Sequence, residues 1–418
     1  MSRLDVNSIR HTAGSADNIT LDGSKNVTCE NNLQVDGNVT VTGTIPADKL
    51  TGTLPAISGA HLTNLPASGT ATNLIINGAM RVAQRGTSST DTGLKTLDRF
   101  AYYKAGTQTQ SQADIASATS GPYASGFRKC YKVTNGSNTA GNTDAATFQY
   151  TIEDQDLVCS GWNHTDPNSK LTLSFWARSS VAQTFYFQIR TKHGTNQGYW
   201  SSYALSANTW TKVTKTIPGY ANIELANDTG QGFNLSWNTY YGTDNTGSGG
   251  LAENTWGAFA GGTSTPDQTN TWQNTNAATF ELTGVQLEVG ATATDFEHRS
   301  YSNELLRCKR YCHVMKGDQN DMTGAVGWCG GSDGAFPYTL PVNMRAAPSF
   351  TPSGTWRLNC PGGNGSDQTG DLSWANTNLT FDAGWLYLAS VSTASSAGQA
   401  AFLQFRGTGT IFTWSAEL

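Results

Sequence analysis

Between residues 17 and 43 one pattern is stated three times: Asn18-Ile19-Thr20-Leu21, Asn26-Val27-Thr28-Cys29 and Asn38-Val39-Thr40-Val41 each alternate polar with apolar. A two-residue period is that of a strand with one buried face. Asp22-Gly23 and Asp36-Gly37 supply turn residues between the copies. The stretch predicts short strands whose small apolar side chains, Ile19, Leu21, Val27, Leu33, Val35, Val39 and Val41, face a core. From 44 to 70 the apolar residues are scattered among Pro46, Pro55 and Pro66. Proline excludes a continuous helix or a central strand there, so an extended connector is expected.

These strands raise a question of partners. Phe100 is the first aromatic residue of the chain. A segment this long with only small apolar side chains, singly or in pairs, buries too little surface to fold alone. Copies of the chain side by side can pool their stripes into a thin shared core. The expected form of residues 1–72 is therefore an intertwined fibrous β shaft in a homotrimer.

From about residue 73 the pattern changes. Lys170 to Arg178 alternates with Leu171, Leu173, Phe175 and Ala177 on one face, and Phe185, Phe187 and Ile189 repeat it in the next strand. Phe280 and Leu282 share one parity while Val285, Leu287 and Val289 share the other. A β-bulge at Gly284 would return all five to one face. Many short strands over residues 73–300 predict a two-sheet jelly-roll sandwich.

Residues 301–312 then predict a linking helix capped by Ser302 or Asn303, with Glu304 at its positive end. Its apolar positions Leu305, Cys308 and Cys312, at i, i+3, i+7, are assigned to the trimer core. Residues 313–418 read as a second, smaller β-sandwich. It includes strands near Trp385 to Ser392, Ala401 to Arg406 and Thr410 to Ser415, the last two predicted to form a hairpin through Gly407-Thr408-Gly409. The fold class is all-β.

Composition narrows the function. Charged residues make up only 14% of the chain, against ~25% in an average soluble domain, while Gly reaches 45 residues. Net charge is -5 with no basic block, which argues against a nucleic-acid partner. No apolar run reaches the ~18 residues of a membrane span and the N-terminus carries no signal-peptide run. Synthesis in the cytoplasm without membrane insertion is expected, and seven cysteines, an odd number, fit reducing conditions.

Cys308, Cys312 and His313 lack the second ligand pair of a metal site. Asp318 and Asp321 lack the Gly of an EF-hand loop. No metal and no cofactor is expected. Catalytic motifs such as Gly-x-Ser-x-Gly or His-Glu-x-x-His are absent, and the acidic Glu153, Asp154 and Asp156 read as a solvated turn after the strand FQYTIE.

Aromatic side chains amid Gly, Asn and Thr are what a sugar site uses, because ring faces stack on C–H faces while amides hold hydroxyls. Between Phe233 and Trp272 the candidates are Trp237, Tyr240, Tyr241 and Trp256, with plugging of the sandwich ends as the competing role. In the last domain Trp328, Trp374 and Trp356 are the candidates. The first two sit among small polar residues, as exposed rings would.

Several segments resemble bacteriophage tail-fibre proteins of marine and cyanobacterial phages. They are NLIINGAMRVAQRGTSSTDTGLKTLDRF (73 to 100), LTLSFWARSS (171 to 180), FELTGVQLEVGATATDFEHRSYSNELLRCKRYC (280 to 312) and LPVNMRAAPSF (340 to 350). The opening MSRLDVNSIRHTAGSADNITLDGSKNVT is also similar to structural proteins of that group. The resemblance implies a receptor-binding homotrimer of the virion. Its N-terminal part would be held by other tail proteins (adaptor, nozzle or baseplate), and its distal domain would bind host surface glycan such as lipopolysaccharide. A head or baseplate fibre, and a glycan depolymerase of tail-spike type, are the alternatives to a non-enzymatic tail fibre.

Overall fold

The computed structural model describes Ser8–Ile9, Ile19–Leu21 and Val27–Cys29 and then residues 73–418, except 248, 331–332, 360–366, 369–371, 376–381 and 390–397. The chain divides into two units, Met1–Pro66 and Ala67–Leu418. In the first, Ile19–Leu21 pairs antiparallel with both Ser8–Ile9 and Val27–Cys29. The first two copies of the alternating pattern thus form strands, with Leu21 opposite Val27. Leu33, Val35, the third copy with Val39 and Val41, and the proline-rich connector lie outside the described residues.

The second unit is all-β, consistent with 44% strand and 8% helix for the chain. Its larger part is a jelly-roll-like sandwich of two six-stranded sheets. The front sheet runs, edge to edge, Gly257–Ala258, Gln197–Leu205, Gln183–Thr191, Gln231–Tyr241, Ala145–Glu153 and Phe100–Tyr103. The back sheet runs Thr211–Pro218, Lys170–Ser179, Thr279–Val289, Lys129–Thr134, Thr109–Asp114 and Ser88–Ser89. Every pairing among these strands is antiparallel.

The predicted alternation is borne out: Leu171, Leu173, Phe175, Ala177, Phe185, Phe187 and Ile189 all face the shared core. Gly284 sits at a bulge where the register against Lys170–Ser179 shifts between Thr283 and Gln286. With its φ of 61° it lets Phe280, Leu282, Val285 and Leu287 all reach 0% exposure, whereas Val289, the fifth residue expected on that face, lies at the end of the strand beyond the core and is 42% exposed.

The smaller sandwich packs a three-stranded sheet (Cys312–Gly317, Thr410–Ser415, Ser349–Ser353) against a seven-stranded one. The latter runs Asp367–Gln368, Trp356–Asn359, Gln399–Phe405, Met322–Cys329, Gly334–Thr339, Ala383–Leu388 and Leu372–Ala375. The predicted hairpin is corrected here. Gln399–Phe405 pairs with Met322–Cys329 and Trp356–Asn359, whereas Thr410–Ser415 pairs with Cys312–Gly317 and Ser349–Ser353. Phe405 and Phe412 meet inside the core with ring centroids 4.9 Å apart, so the glycine segment between them arches from one sheet to the other.

The linking helix is Tyr301–Lys309, and its cap is Ser300, whose hydroxyl accepts from Asn303 N at 3.3 Å. Ser300 holds the extended backbone that an N-cap needs, while Ser302 and Asn303 are already helical. Cys312 begins the next strand. Cys308 and Cys312 are both fully buried within this one chain, and Cys308 and half-buried Leu305 pack with Ile76, Val82 and Tyr311. The chain itself already encloses the two thiols assigned to a trimer core.

Ionic contacts join the two sandwiches. Arg310 holds Glu153 through two hydrogen bonds of 2.9 and 2.8 Å, and the Tyr311 hydroxyl donates to the same carboxylate. Arg99 pairs with Glu417, Arg85 bridges Glu417 and Asp98, and Arg345 donates to the carbonyls of Thr229 and Ala416. The acidic cluster read as a solvated turn is therefore largely dry. Glu153 and Asp154 are 0% and 1% exposed, and Asp156 is half-buried. The turn Asp154–Val158 is helical and drives Leu157 into the core, which carries the acidic side chains down with it.

Candidate functional site

The inward residues of the front sheet leave a second set pointing outward. Cross-strand partners place these in rows: Ser202, Tyr186, Asn238 and Thr147 in one; Trp200, Gln188, Ser236 and Gln149 in the next; then Arg190, Asn234 and Thr151. The face is a ladder of amides and hydroxyls bordered by aromatic rings.

Its members hold one another. Thr147 Oγ1 donates to Asn238 Oδ1 at 2.9 Å, Asn234 Nδ2 to Thr151 Oγ1 at 3.1 Å and Ser236 Oγ to Asn234 Oδ1 at 3.4 Å. A bulge after Asn238 turns Tyr240 into the core and leaves Tyr241 outward. Burial pushes the Tyr241 phenol above its usual pKa, with the side chains of Thr147, Ser236 and Gln149 beside it pulling the other way. Tyr241 therefore lies across the rows.

The Gly-rich segment beyond it folds over the other side. Trp200 Nε1 donates to Leu251 O at 2.9 Å, and Arg190 stacks 4.2 Å from the Phe259 ring. Two recesses remain on this face. One, of about 180 Å³, lies between Gln188 and the segment around Gly250 and Phe259. The other, of about 170 Å³, is lined by Tyr103, Gln149, Thr151, Lys192 and Asn234 and bounded by Arg99 and Glu417.

Two donors on the face have no partner among the described residues. Gln188 is 8% exposed and Asn238 0%, yet Gln188 Nε2 and Asn238 Nδ2 make no hydrogen bond. A buried polar group left unpaired costs about 1–3 kcal/mol, so both amides are set to receive an acceptor that reaches them.

The residues singled out by sequence fall mostly elsewhere. Trp237 is fully buried at the centre of the sandwich, 5.6 Å from Phe187 and 5.9 Å from Phe175 by ring centroid. It lies on a strand, not a loop, and so do Tyr240 and Tyr241. Tyr240 and Trp256 also belong to that core, and Trp256 donates to Pro218 O at 2.8 Å. Trp356 is 1% exposed in the core of the smaller sandwich, and Trp374 packs half-buried edge-on against Trp414. These rings plug cores, which is the competing role, because a sandwich interior takes the largest apolar area available.

Of the seven aromatic candidates, Trp328 is exposed, at 45%, and Tyr241 stands on the polar face. Sequence reading missed Gln149, Gln188, Asn234, Ser236 and Asn238. Their signal was present as the polar half of each alternating strand, but it is the same signal that any solvated face gives.

No protein-family model matches the chain, and no curated protein matches it. Several solved structures are similar to part of it. One is the enzymatically active domain of tailspike protein 4 from Bacteriophage CBA120, with 12% identity over 52% of this chain and 22% of that one, at a TM-score of 0.29. The chain thus spans about a fifth of that protein's length. Another is a family 16 carbohydrate binding module, at 11% identity over 43% of this chain and 84% of that one, TM-score 0.22. A third is the N-terminal cellulose-binding domain of Cellulomonas fimi β-1,4-glucanase C, at 12% identity over 51% of this chain and all of that one, TM-score 0.26. Likeness at this level carries no argument about ligand or role.

Proposed function

We propose that this protein binds glycan through the outer face of the front sheet, as the adhesive part of a homotrimeric phage tail fibre. The observation that carries the binding is the buried amide donor Gln188 Nε2, unpartnered among the described residues at the edge of a recess, with Asn238 Nδ2 likewise unpartnered in the adjoining row. Sugar hydroxyls are acceptors and donors at once, and a ladder of amides and hydroxyls next to Tyr186, Tyr241 and half-exposed Tyr103 offers the complement of both.

The fibre role draws on the tail-fibre resemblance and on an N-terminal segment too poor in apolar bulk to fold alone. Attachment of that segment to other tail proteins, display on the virion and multivalent gain from three tethered sites belong to the same reading. We read the chain as an adhesin, not a depolymerase. The carboxylates bordering the face, Glu253 and Glu417, are engaged by Ser202 and by Arg85 and Arg99, so they do not stand free as an acid–base pair.

A second contact surface is favoured by one observation: Met322, Val326, Trp328 and Trp385, at 39–53% exposure, all lie on the seven-stranded sheet of the smaller sandwich. Host-polysaccharide binding by the purified full chain separates the two. Gln188→Ala with Asn234→Ala should weaken it at least about tenfold, the equivalent of ~1.4 kcal/mol, while Trp328→Ala should leave it within about twofold. The reverse result would move the site to the distal domain, and release of reducing ends would make the protein an enzyme. Light scattering checks the assembly, since a mass other than three chains overturns the trimer.

A further inference from the structure

The back sheet carries a built recess of its own, on the side of the sandwich away from the polar ladder. A strap, residues 294–298, crosses its outer face and is held by two side chains of strand Thr279–Val289. Gln286 Oε1 accepts from Glu297 N at 2.9 Å and its Nε2 donates to Asp295 O at 3.3 Å. Glu288 accepts from Thr294 N at 2.9 Å and from Thr294 Oγ1 at 2.6 Å. Gln286 and Glu288 are 0% and 2% exposed, so the strap is fixed from beneath rather than resting on the surface.

Next to the strap lies a recess of about 470 Å³, within the ~300–1,000 Å³ range of ligand pockets. Half-buried Trp176 contributes its ring, and Phe127 and Phe296, with centroids 4.7 Å apart and edge to face, make a wall that His298 extends. The bulge glycine is part of the construction: a Cβ on Gly284 would stand 2.7 Å from Phe127 and 3.1 Å from Trp176, so only glycine lets both rings close in.

Lys212 is the cross-strand partner of Trp176, and Ser174 precedes it by two on the same face. The Lys212 ammonium, the Asp295 carboxylate and the Ser174 hydroxyl line the recess and make no hydrogen bond or ion pair among the described residues.

We propose that this recess binds one neutral pyranose residue of a glycan, as a second site independent of the front sheet. A half-exposed indole offers a platform for the C–H face of a sugar ring. Ring hydroxyls can accept from Lys212 and Ser174 and donate to Asp295, and charge-assisted hydrogen bonds of this kind are about twice as strong as neutral ones. With one charge of each sign at the rim, a net charge on the ligand would gain at one group what it loses at the other, so the rim favours neither sign and an uncharged ring can use both as hydrogen-bond partners. The ligand class rests on the glycan-binding reading above, but the site does not depend on the front-sheet residues. Each chain would then present sugar sites on both outer faces of one sandwich.

The test uses the full chain and saturation-transfer NMR with methyl glucoside, methyl galactoside, methyl mannoside and N-acetylglucosamine. A Gln188→Ala/Asn234→Ala variant should keep saturation transfer to at least one of these sugars, and adding Lys212→Ala and Asp295→Asn should abolish it. Both added changes are at exposed positions, so circular dichroism should show an unchanged fold. In the front-sheet variant, Trp176→Phe should retain part of the signal and Trp176→Ala none. If the front-sheet variant alone removes all transfer, the second site is overturned while the front-sheet reading stands. Transfer that survives when Lys212→Ala and Asp295→Asn are added to the front-sheet variant overturns the recess assignment. No transfer from the wild type to any of the four sugars overturns a pyranose ligand here.

Discussion

The front sheet of the larger sandwich and the seven-stranded sheet of the smaller one each turn a face away from their cores, and the two faces are built in opposite ways. The first keeps Trp237 inside, covers its outward Trp200 with the Gly-rich segment, and sets amides and hydroxyls outward, where Tyr241 and that segment nearly dry them. The second shows Val326, Trp328 and Trp385 openly. An exposed ring is satisfied by water at modest cost, as roughly half of any protein surface is apolar. A dry amide without a partner is not satisfied, and that makes the polar face the more informative of the two.

The contrast can be broken at several points. Trp237→Ala should cost ~3–5 kcal/mol by opening a cavity at the centre of the larger core, read as a lowered midpoint of chemical unfolding; a loss under ~1 kcal/mol would mean the ring is not the core element described. Glu417→Gln removes the charge that Arg99 and Arg85 share across the two sandwiches. Breaking such a buried pair costs ~3–5 kcal/mol, and calorimetry should show one unfolding transition becoming two.

Acid should act on the two sandwiches with opposite sign. Burial lowers His313, in the smaller one, from 6.5 to about 4. Its neutral form is favoured by folding, so the stability it contributes above pH 6.5 is lost as pH falls to about 4. Burial raises Asp98, in the larger one, from 3.8 to about 6 against the pull of Arg85. Folding then favours its protonated form, so stability is gained as pH falls from about 6 to 3.8. Each shift amounts to roughly 3 kcal/mol at ~1.4 kcal/mol per pH unit. In melting curves between pH 6.5 and 4, His313→Gln should be less acid-sensitive than the wild type and Asp98→Asn more so. The smallest effect is expected for Trp328→Ser, within ~0.5 kcal/mol, and a larger loss would show the ring to be packed.

Much of the fold was legible because alternation is a strong local signal. Phe280 and Leu282 against Val285 and Leu287 even located the bulge, since a parity switch within one strand has few other physical causes. The arch after Phe405 was not legible. Neighbouring strands joined through glycines usually pair, and only the meeting of Phe405 with Phe412 in a common core overrides that preference. The tryptophans misled for a related reason: polar neighbours in sequence say nothing about depth once a strand such as Gln231–Tyr241 alternates through the centre of a sandwich. The candidate site stayed hidden because Gln188 and Asn234 read like any solvated strand face. What covers one such face, a segment more than fifty residues further along in the case of Gln188, is a tertiary fact.

Consider finally the seam where Arg310 grips Glu153, Arg99 grips Glu417 and Arg345 reaches Thr229 O and Ala416 O. In mechanical terms it is a welded joint, not a swivel. A pull applied between the sandwiches loads these contacts together instead of peeling them one by one, and no single linker takes up the strain. A torque on one sandwich is therefore carried to the other through several side-chain contacts at once.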